Sequence, residues 1–166
     1  YTYVTARILL DNIRTEALTY LGMQKQATQK EMESLYPEAL RNFLAKGVEN
    51  EILNPELLEM DVEKLGQAII SSRDNDFTYL GLQTLYDRYF IHHDEVRYEL
   101  PQVFFMRVSM GLALREDQRE ERAIEFYNLL SSFDYMSSTP TLFNSGTKHS
   151  QLSSCLLYTS PSPRDL

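Results

Sequence analysis

Apolar residues recur at three- and four-residue steps along nearly the whole of this chain. This period is that of one face of an α-helix, whereas a half-buried strand would alternate with a period of two. We find neither an internal repeat nor a convincing strand before residue 148, so the sequence predicts a mainly α fold. Gly22 ends the first periodic segment, whose apolar positions are Ala6, Leu9, Leu10, Ile13, Ala17, Leu18 and Leu21.

Proline, glycine and capping residues divide the rest of the chain into further helices. Residues 71–76 between them are charged or polar and predict a turn, and His92 and His93 fall in a loop. The predicted helices are a short one after Pro37 closed by Gly47, one begun by Asn54 and Pro55, one over residues 62–70 capped by Asp61, one over residues 77–90, one begun by Pro101, and one over roughly residues 121–133.

The charge balance and the cysteine content exclude several classes of protein. Lys and Arg number 16 against 24 Asp and Glu, a net charge of −8, whereas a nucleic-acid or membrane-surface protein needs a basic face. The single cysteine cannot form an intrachain disulfide, which fits a reducing compartment. No signal peptide opens the chain, and no apolar run approaches the roughly 18 residues of a membrane span. We expect a cytoplasmic protein without a direct nucleic-acid or membrane partner.

The most distinctive segment is Ser-Thr-Pro-Thr-Leu-Phe-Asn-Ser-Gly-Thr at residues 138–147, with Gln-Leu-Ser-Ser-Cys at residues 151–155. Pro140 predicts a rigid, non-helical turn, and Gly146 a second, more permissive turn. The run ending at Cys155 predicts an extended segment that carries a thiol at its end. Spacing and composition alone are more typical of an inter-helix loop with a buried structural thiol.

These residues resemble the segment that opens the catalytic barrel in the large (alpha) subunit of class I ribonucleotide reductases. The resemblance continues at residues 1–7, 76–85 and 100–108, and it is loose over residues 30–70. It implies a helical N-terminal reductase domain that leads into the first strand of a ten-stranded α/β barrel, the rest of which is missing. The chain starts at Tyr1 rather than at a methionine, and we expect it to be truncated at both ends.

The same resemblance implies domain boundaries. Residues 1–22 would be the end of the ATP-cone and its linking helix. Residues 23–145 would form the helical reductase domain, and residues 146–155 the start of the catalytic barrel.

The family reduces ribonucleoside diphosphates to deoxyribonucleoside diphosphates for DNA synthesis. A thiyl radical takes hydrogen from the ribose 3′ carbon, the 2′ hydroxyl leaves as water, and a cysteine pair supplies electrons and becomes a disulfide. By resemblance, Cys155 matches the first member of that redox-active pair, and Thr139 and Ser154 match positions that help hold the substrate. Without the resemblance, Thr139 is more typical of a turn or capping hydroxyl, and Ser154 of a strand-edge serine.

The resemblance also implies partners and effectors. These are a beta subunit with a metal-radical cofactor, a second alpha subunit in a homodimer, thioredoxin or glutaredoxin, and ATP and deoxynucleoside triphosphates as allosteric effectors. We expect no cofactor or metal on this fragment, and no activity from it alone. Adjacent histidines such as His92 and His93 point in divergent directions, which disfavours a metal site. His149 lacks an orienting partner residue and is interpreted as a solvated loop residue.

Residues 156–166 do not continue this pattern, because the apolar character stops after two leucines and gives way to Ser-Pro-Ser-Pro. Residues 155–165 can be reverse-translated as the end of a sequencing-library adapter. We therefore interpret residues 156–166 as an adapter artefact, a native Pro-rich terminus being the alternative. The codon of Cys155 is then either native or adapter-derived.

A second hypothesis for the whole chain comes from a different class. An acidic, all-helical interaction module without catalysis would show the same helical period and the same negative charge. Barrel strands with further cysteines in the downstream reading frame would favour the enzyme, and an early stop codon the module.

Overall fold

A computed structural model of the protein describes residues 2–149, and these residues are mainly helical, as the sequence predicts. Two short 3-10 helices, Pro55–Glu59 and Ser71–Asp76, lie between α-helices. Two short strands pair antiparallel as a hairpin, β1 (His92–His93) and β2 (Val96–Arg97). The α-helices are α1 (Thr2–Tyr20), α2 (Gln29–Glu49), α3 (Val62–Gln67), α4 (Tyr79–Arg88), α5 (Pro101–Ala113), α6 (Arg119–Ser131) and α7 (Thr139–Asn144).

The prediction of a short helix bounded by Pro37 and Gly47 is wrong, since both residues lie inside α2. The helix begins earlier, at a capping box in which Thr28 and Glu31 exchange side chain-to-backbone hydrogen bonds of 3.2 and 3.1 Å. Gly47 is a point of close approach, because an added Cβ would lie 2.2 Å from Cδ1 of Leu53. A strong start signal and the packing of the buried face of α2 override the cost of an interior proline.

Other predicted boundaries are partly correct. Asn54, Asp61 and Pro101 occupy the cap or first-turn positions expected of them, although the element that Asn54 caps is a 3-10 helix. The predicted turn over residues 71–76 is a 3-10 helix, and the predicted loop at His92 belongs to the β hairpin. Helix α3 stops at Gln67 rather than at residue 70, α4 is shorter than predicted, and α6 starts at Arg119.

Helix α5 is the centre of the core, and every side chain from residue 101 to residue 110 is buried. A helix that is buried on all sides has to be surrounded by other elements, here α2, α6, α7 and the second 3-10 helix. Phe104, Phe105, Met106 and Met110 of this helix are all fully buried in the core. Among the helices of residues 2–149, none has both the length and the apolar content that a membrane crossing requires.

A buried polar network joins the elements that surround α5. Asp74 accepts hydrogen bonds from Tyr36 at 2.7 Å, from Gln102 at 2.9 Å and from Arg14 at 3.1 Å. Tyr127 donates to Gln102 at 2.7 Å, which brings α6 into the same network. Burial raises the pKa of Tyr36, and the negative charge of the Asp74 carboxylate raises it further. The network fixes how α1, α2, α5 and α6 meet, because the buried side chains of Tyr36, Gln102 and Tyr127 are joined by hydrogen bonds with Asp74 or with one another.

Tyr98 joins α1 and α2 through its ring and its hydroxyl. Its ring stacks on that of Tyr20 with centroids 4.6 Å apart, and Asn50 donates to the two tyrosine hydroxyls at 3.0 and 3.2 Å. The side chain is fully buried, and burial raises the pKa of Tyr98 to about 12. Deprotonation of this phenol therefore costs more in the folded protein than in the unfolded chain.

This raised pKa predicts a loss of stability in alkali. The folded state retains the Tyr98 proton between pH 10 and 12, where the unfolded chain releases it, so the free energy of unfolding falls as pH rises through this window. In Tyr98→Phe that fall should be shallower, as measured by urea unfolding at a series of pH values. Tyr135→Phe, which removes a hydroxyl from an exposed ring, is the control and should keep the wild-type slope. Equal slopes in wild type and Tyr98→Phe would contradict the assignment.

Candidate functional site

The segment that carries the predicted site residue Thr139 is helical, so the predicted non-helical turn at Pro140 is wrong. Thr139–Asn144 forms α7, with Ser138 at its N-cap. Pro140 occupies the first turn, where a backbone N–H would have no intrahelical partner to lose. Proline in this position starts a helix rather than preventing one. The second predicted turn is confirmed, since Gly146 has a φ of +79° directly after α7.

Thr139 is exposed at the first position of α7 and faces a cleft of about 670 Å³ between α4 and α7. Its hydroxyl lies 3.3 Å from the hydroxyl of Tyr89, the residue that caps the end of α4. Ser154 and Cys155, the other two predicted site residues, lie outside the described residues, as do residues 156–166. The structure therefore locates one of the three predicted side chains.

The C-terminal end of α7 is bound by Arg107, a fully buried side chain of α5. Its Nη1 donates to the carbonyl oxygens of Leu142 at 3.0 Å and of Ser145 at 3.1 Å. The last carbonyls of a helix have no intrahelical donors, and a cation there also interacts favourably with the helix dipole. Arg107 thus supplies the hydrogen bonds that so short a helix cannot supply for itself.

Arg107 is held in turn by Glu99, whose side chain is equally buried. The pair is bidentate, with Nε 3.0 Å from Oε2 and Nη2 2.9 Å from Oε1. Glu99 also accepts from the backbone N–H of Ile91 at 3.0 Å, and the guanidinium lies over the ring of Phe104 at 5.1 Å. Burying two charges is costly, and these additional contacts are what such a pair needs to offset the cost.

The chain after α7 lies directly on the backbone of α5. An added Cβ at Gly111 would be 2.2 Å from the backbone nitrogen of Gly146, so only glycine fits there. Ser145 donates through Oγ to the carbonyl of Val108 at 2.6 Å. Because both contacts involve the α5 backbone, the position of residues 145–146 follows that of α5 itself.

The chain then becomes extended beside the segment that follows α2. Thr147 forms an antiparallel bridge with Leu53, Asn54 donates to the carbonyl of Gly146 at 3.0 Å, and Lys148 donates to that of Ile52 at 3.0 Å. The single bridge at Thr147 thus follows directly on the turn at Gly146. Residues 150–155 of the segment predicted to start the barrel lie outside the described residues.

Histidines and carboxylates supply no further candidate site in the described part. His149 is exposed in a loop, as predicted, and His93 contacts Asp94 at 3.3 Å. Within residues 2–149, no group of three or more His, Cys, Asp or Glu side chains is placed to hold a metal ion.

Sequence reasoning missed Arg107, Glu99 and Tyr89. The sequence did contain a signal for Arg107, because an arginine inside an apolar run needs a buried partner. Nothing in the sequence identifies that partner as Glu99, and nothing local connects Tyr89 with Thr139, which is 50 residues away.

The Arg107–Glu99 pair predicts a large cost when one partner is removed. Arg107→Met would leave the Glu99 carboxylate buried without its counter-ion, and we expect a loss of about 3–5 kcal/mol in the free energy of unfolding, measured by urea denaturation. The control is Arg41→Met, which breaks the exposed ion pair with Glu63 and should cost about 1 kcal/mol or less. Equal losses in the two variants would contradict a central role for the buried pair.

Comparison with known proteins shows which family this sequence belongs to. Residues 75–150 match the family described as "Ribonucleotide reductase, all-alpha domain". The ribonucleoside-diphosphate reductase subunit alpha of Chlamydia trachomatis is 49% identical over 160 residues, which are 96% of this chain and 15% of that protein. That of Chlamydia pneumoniae is 44% identical over 160 residues, with the same coverage. The large subunit of Danio rerio is 36% identical over 159 residues, or 95% of this chain and 18% of that protein.

This chain therefore spans less than a fifth of the length of the relatives it matches. The matched family region contains α4, α5, α6 and α7, with the ion pair of Glu99 and Arg107 and the exposed Thr139. The chain belongs to the family of ribonucleotide reductase large (alpha) subunits.

Proposed function

We propose that this chain is part of a large subunit that reduces ribonucleoside diphosphates to deoxyribonucleoside diphosphates. The observation that carries the proposal is the match of residues 75–150 to the all-alpha domain of ribonucleotide reductases. The relatives that match nearly the whole chain are named ribonucleoside-diphosphate reductases, which supports this substrate class. The interaction of α7 with α5 also supports it, because a substrate-binding hydroxyl needs a fixed backbone.

Within this proposal, Thr139 contributes a hydroxyl to the substrate site. A threonine hydroxyl both donates and accepts, which suits the phosphate or ribose oxygens of a nucleoside diphosphate. Thr139 is exposed in its cleft, and α7 is bound to α5 at the other end through Arg107. Ser154 would supply a second hydroxyl to the same substrate.

Cys155 would be one member of the redox-active pair. Two thiols give up two electrons and two protons and become a disulfide. The 2′ carbon of the substrate takes up the two electrons and one of the protons, and the other proton leaves with the 2′ hydroxyl as water. The partner cysteine has to come within a Cα separation of about 5.5–6 Å for the disulfide to form. A dithiol protein such as thioredoxin or glutaredoxin would then reduce that disulfide by exchange.

The remaining components follow from the same proposal. A beta subunit would hold the metal-radical cofactor, a second alpha subunit would complete a homodimer, and ATP or deoxynucleoside triphosphates would act as effectors. Residues 1–22 would link to the ATP-cone, residues 23–145 would form the helical domain, and residues 146–155 would start the catalytic barrel.

The proposed redox role predicts a specific effect of Cys155→Ser in the complete subunit. The change removes the thiol and hardly alters the side-chain volume, so continued turnover with a renewable dithiol should stop while the melting temperature stays the same. The measurement is deoxynucleotide formed per subunit, assayed with the beta subunit, and the neighbouring Ser153→Ala serves as control. Wild-type turnover in Cys155→Ser would refute the redox role. A native gene sequence that encodes another amino acid at position 155 would also refute it.

A further inference from the structure

Tyr89 lies where the proposed substrate hydroxyl meets the body of the domain. Its phenolic oxygen is 3.3 Å from Oγ1 of Thr139, a contact between the end of α4 and the start of α7. Its ring packs against Phe143 and Phe104, with centroids 4.9 and 6.4 Å apart. The ring therefore has a fixed place between α5 and α7, and its hydroxyl reaches the same cleft as Thr139.

Two other hydroxyls in this cleft form hydrogen bonds with the backbone of α4. Thr78 accepts from the backbone N–H of Gly81 at 3.1 Å as the N-cap of α4. Thr84 donates to the carbonyl of Leu80 at 2.8 Å within α4. These are ordinary capping and back-bonding contacts. The contact between Tyr89 and Thr139 instead joins hydroxyls of two separate elements.

Helix α7 is thus held at both ends by different elements. Arg107 of α5 binds its C-terminal carbonyls, and Tyr89 of α4 contacts the hydroxyl of its first residue. A six-residue helix has little stability of its own, so these contacts determine where its first turn lies. The contact at Tyr89 is the one that acts on the hydroxyl itself.

We propose that Tyr89 is a positioning residue for substrate binding, which rests on the proposed function of Thr139. Either hydroxyl can be the donor in this contact, and the positioning role assigns the donor to the phenol of Tyr89, which leaves the hydrogen of Thr139 for another acceptor. That hydrogen then points to an acceptor in the cleft, and a phosphate oxygen of a nucleoside diphosphate is a strong one. Tyr89 acts through Thr139 and does not itself touch the substrate.

The test is Tyr89→Phe in the complete subunit, assayed with its beta subunit, a dithiol reductant and a ribonucleoside diphosphate. Phenylalanine keeps the ring contacts with Phe104 and Phe143 and removes only the hydroxyl. We expect KM for the diphosphate to rise about 3- to 10-fold, the equivalent of one hydrogen bond. We expect kcat to change less than about twofold, because a group that holds substrate and transition state alike affects KM.

A matched control comes from the same helix. Tyr86 donates to the carboxylate of Glu16 at 2.9 Å, a contact with α1 rather than with α7. Tyr86→Phe should lower the melting temperature and leave KM unchanged. A rise in KM for Tyr86→Phe equal to that for Tyr89→Phe would show a general effect of α4 and overturn the positioning role.

A double-mutant cycle with Thr139→Val separates the two proposals. If Tyr89 acts through Thr139, Tyr89→Phe should raise KM no further in the Thr139→Val background. Unchanged KM in Thr139→Val would refute the substrate role of Thr139. Raised KM in Thr139→Val with wild-type KM in Tyr89→Phe would refute the positioning role alone. If the double variant raised KM by the product of the two single effects, the positioning role would also be refuted, because Tyr89 would then act independently of Thr139.

Discussion

The buried ion pair of Arg107 and Glu99 is the constraint on which the arrangement of this domain depends. Arg107 lies in the middle of the most buried helix, where an unpaired charge would be prohibitive. Glu99 offsets that charge with a bidentate contact and receives a backbone N–H from Ile91. The guanidinium N–H groups that remain bind the carbonyls of α7, so one side chain fixes both the core and the segment that bears Thr139.

Capping and first-turn residues in the sequence correctly predicted where several helices start. Asp61 and Asn54 accept hydrogen bonds from nearby backbone N–H groups, and Pro101 takes a position that requires no donor. The same reasoning failed for Pro37 and Pro140. Proline is compatible with the first turn of a helix, and the packing of a long helix can outweigh its cost inside. A proline in a sequence therefore does not by itself show where a helix ends.

The site was only partly predictable, for a reason that lies in chain topology. Thr139 was identified from a motif and proves to be exposed in a cleft, although on a helix rather than on a turn. Tyr89 was not identified, because its hydroxyl contacts that of Thr139 only when α4 and α7 come together in the fold. Glu99 was not identified either, because its pairing with Arg107 exists only in the folded chain. Ser154 and Cys155 stay predictions, as do the domain boundaries drawn from the resemblance.

Native-state hydrogen exchange tests most directly whether α5 fixes the segment from α7 to residue 148. The reporters are the amides of Ser145 and Asn54, which donate to Thr141 and Gly146, and the reference is the amide of Phe104 in α5. If Arg107 and the glycine contacts join the segment to the core, the reporters should open with about the same free energy as Phe104. Exchange of Ser145 and Asn54 at the rate of an unstructured peptide, with Phe104 still protected, would contradict the account.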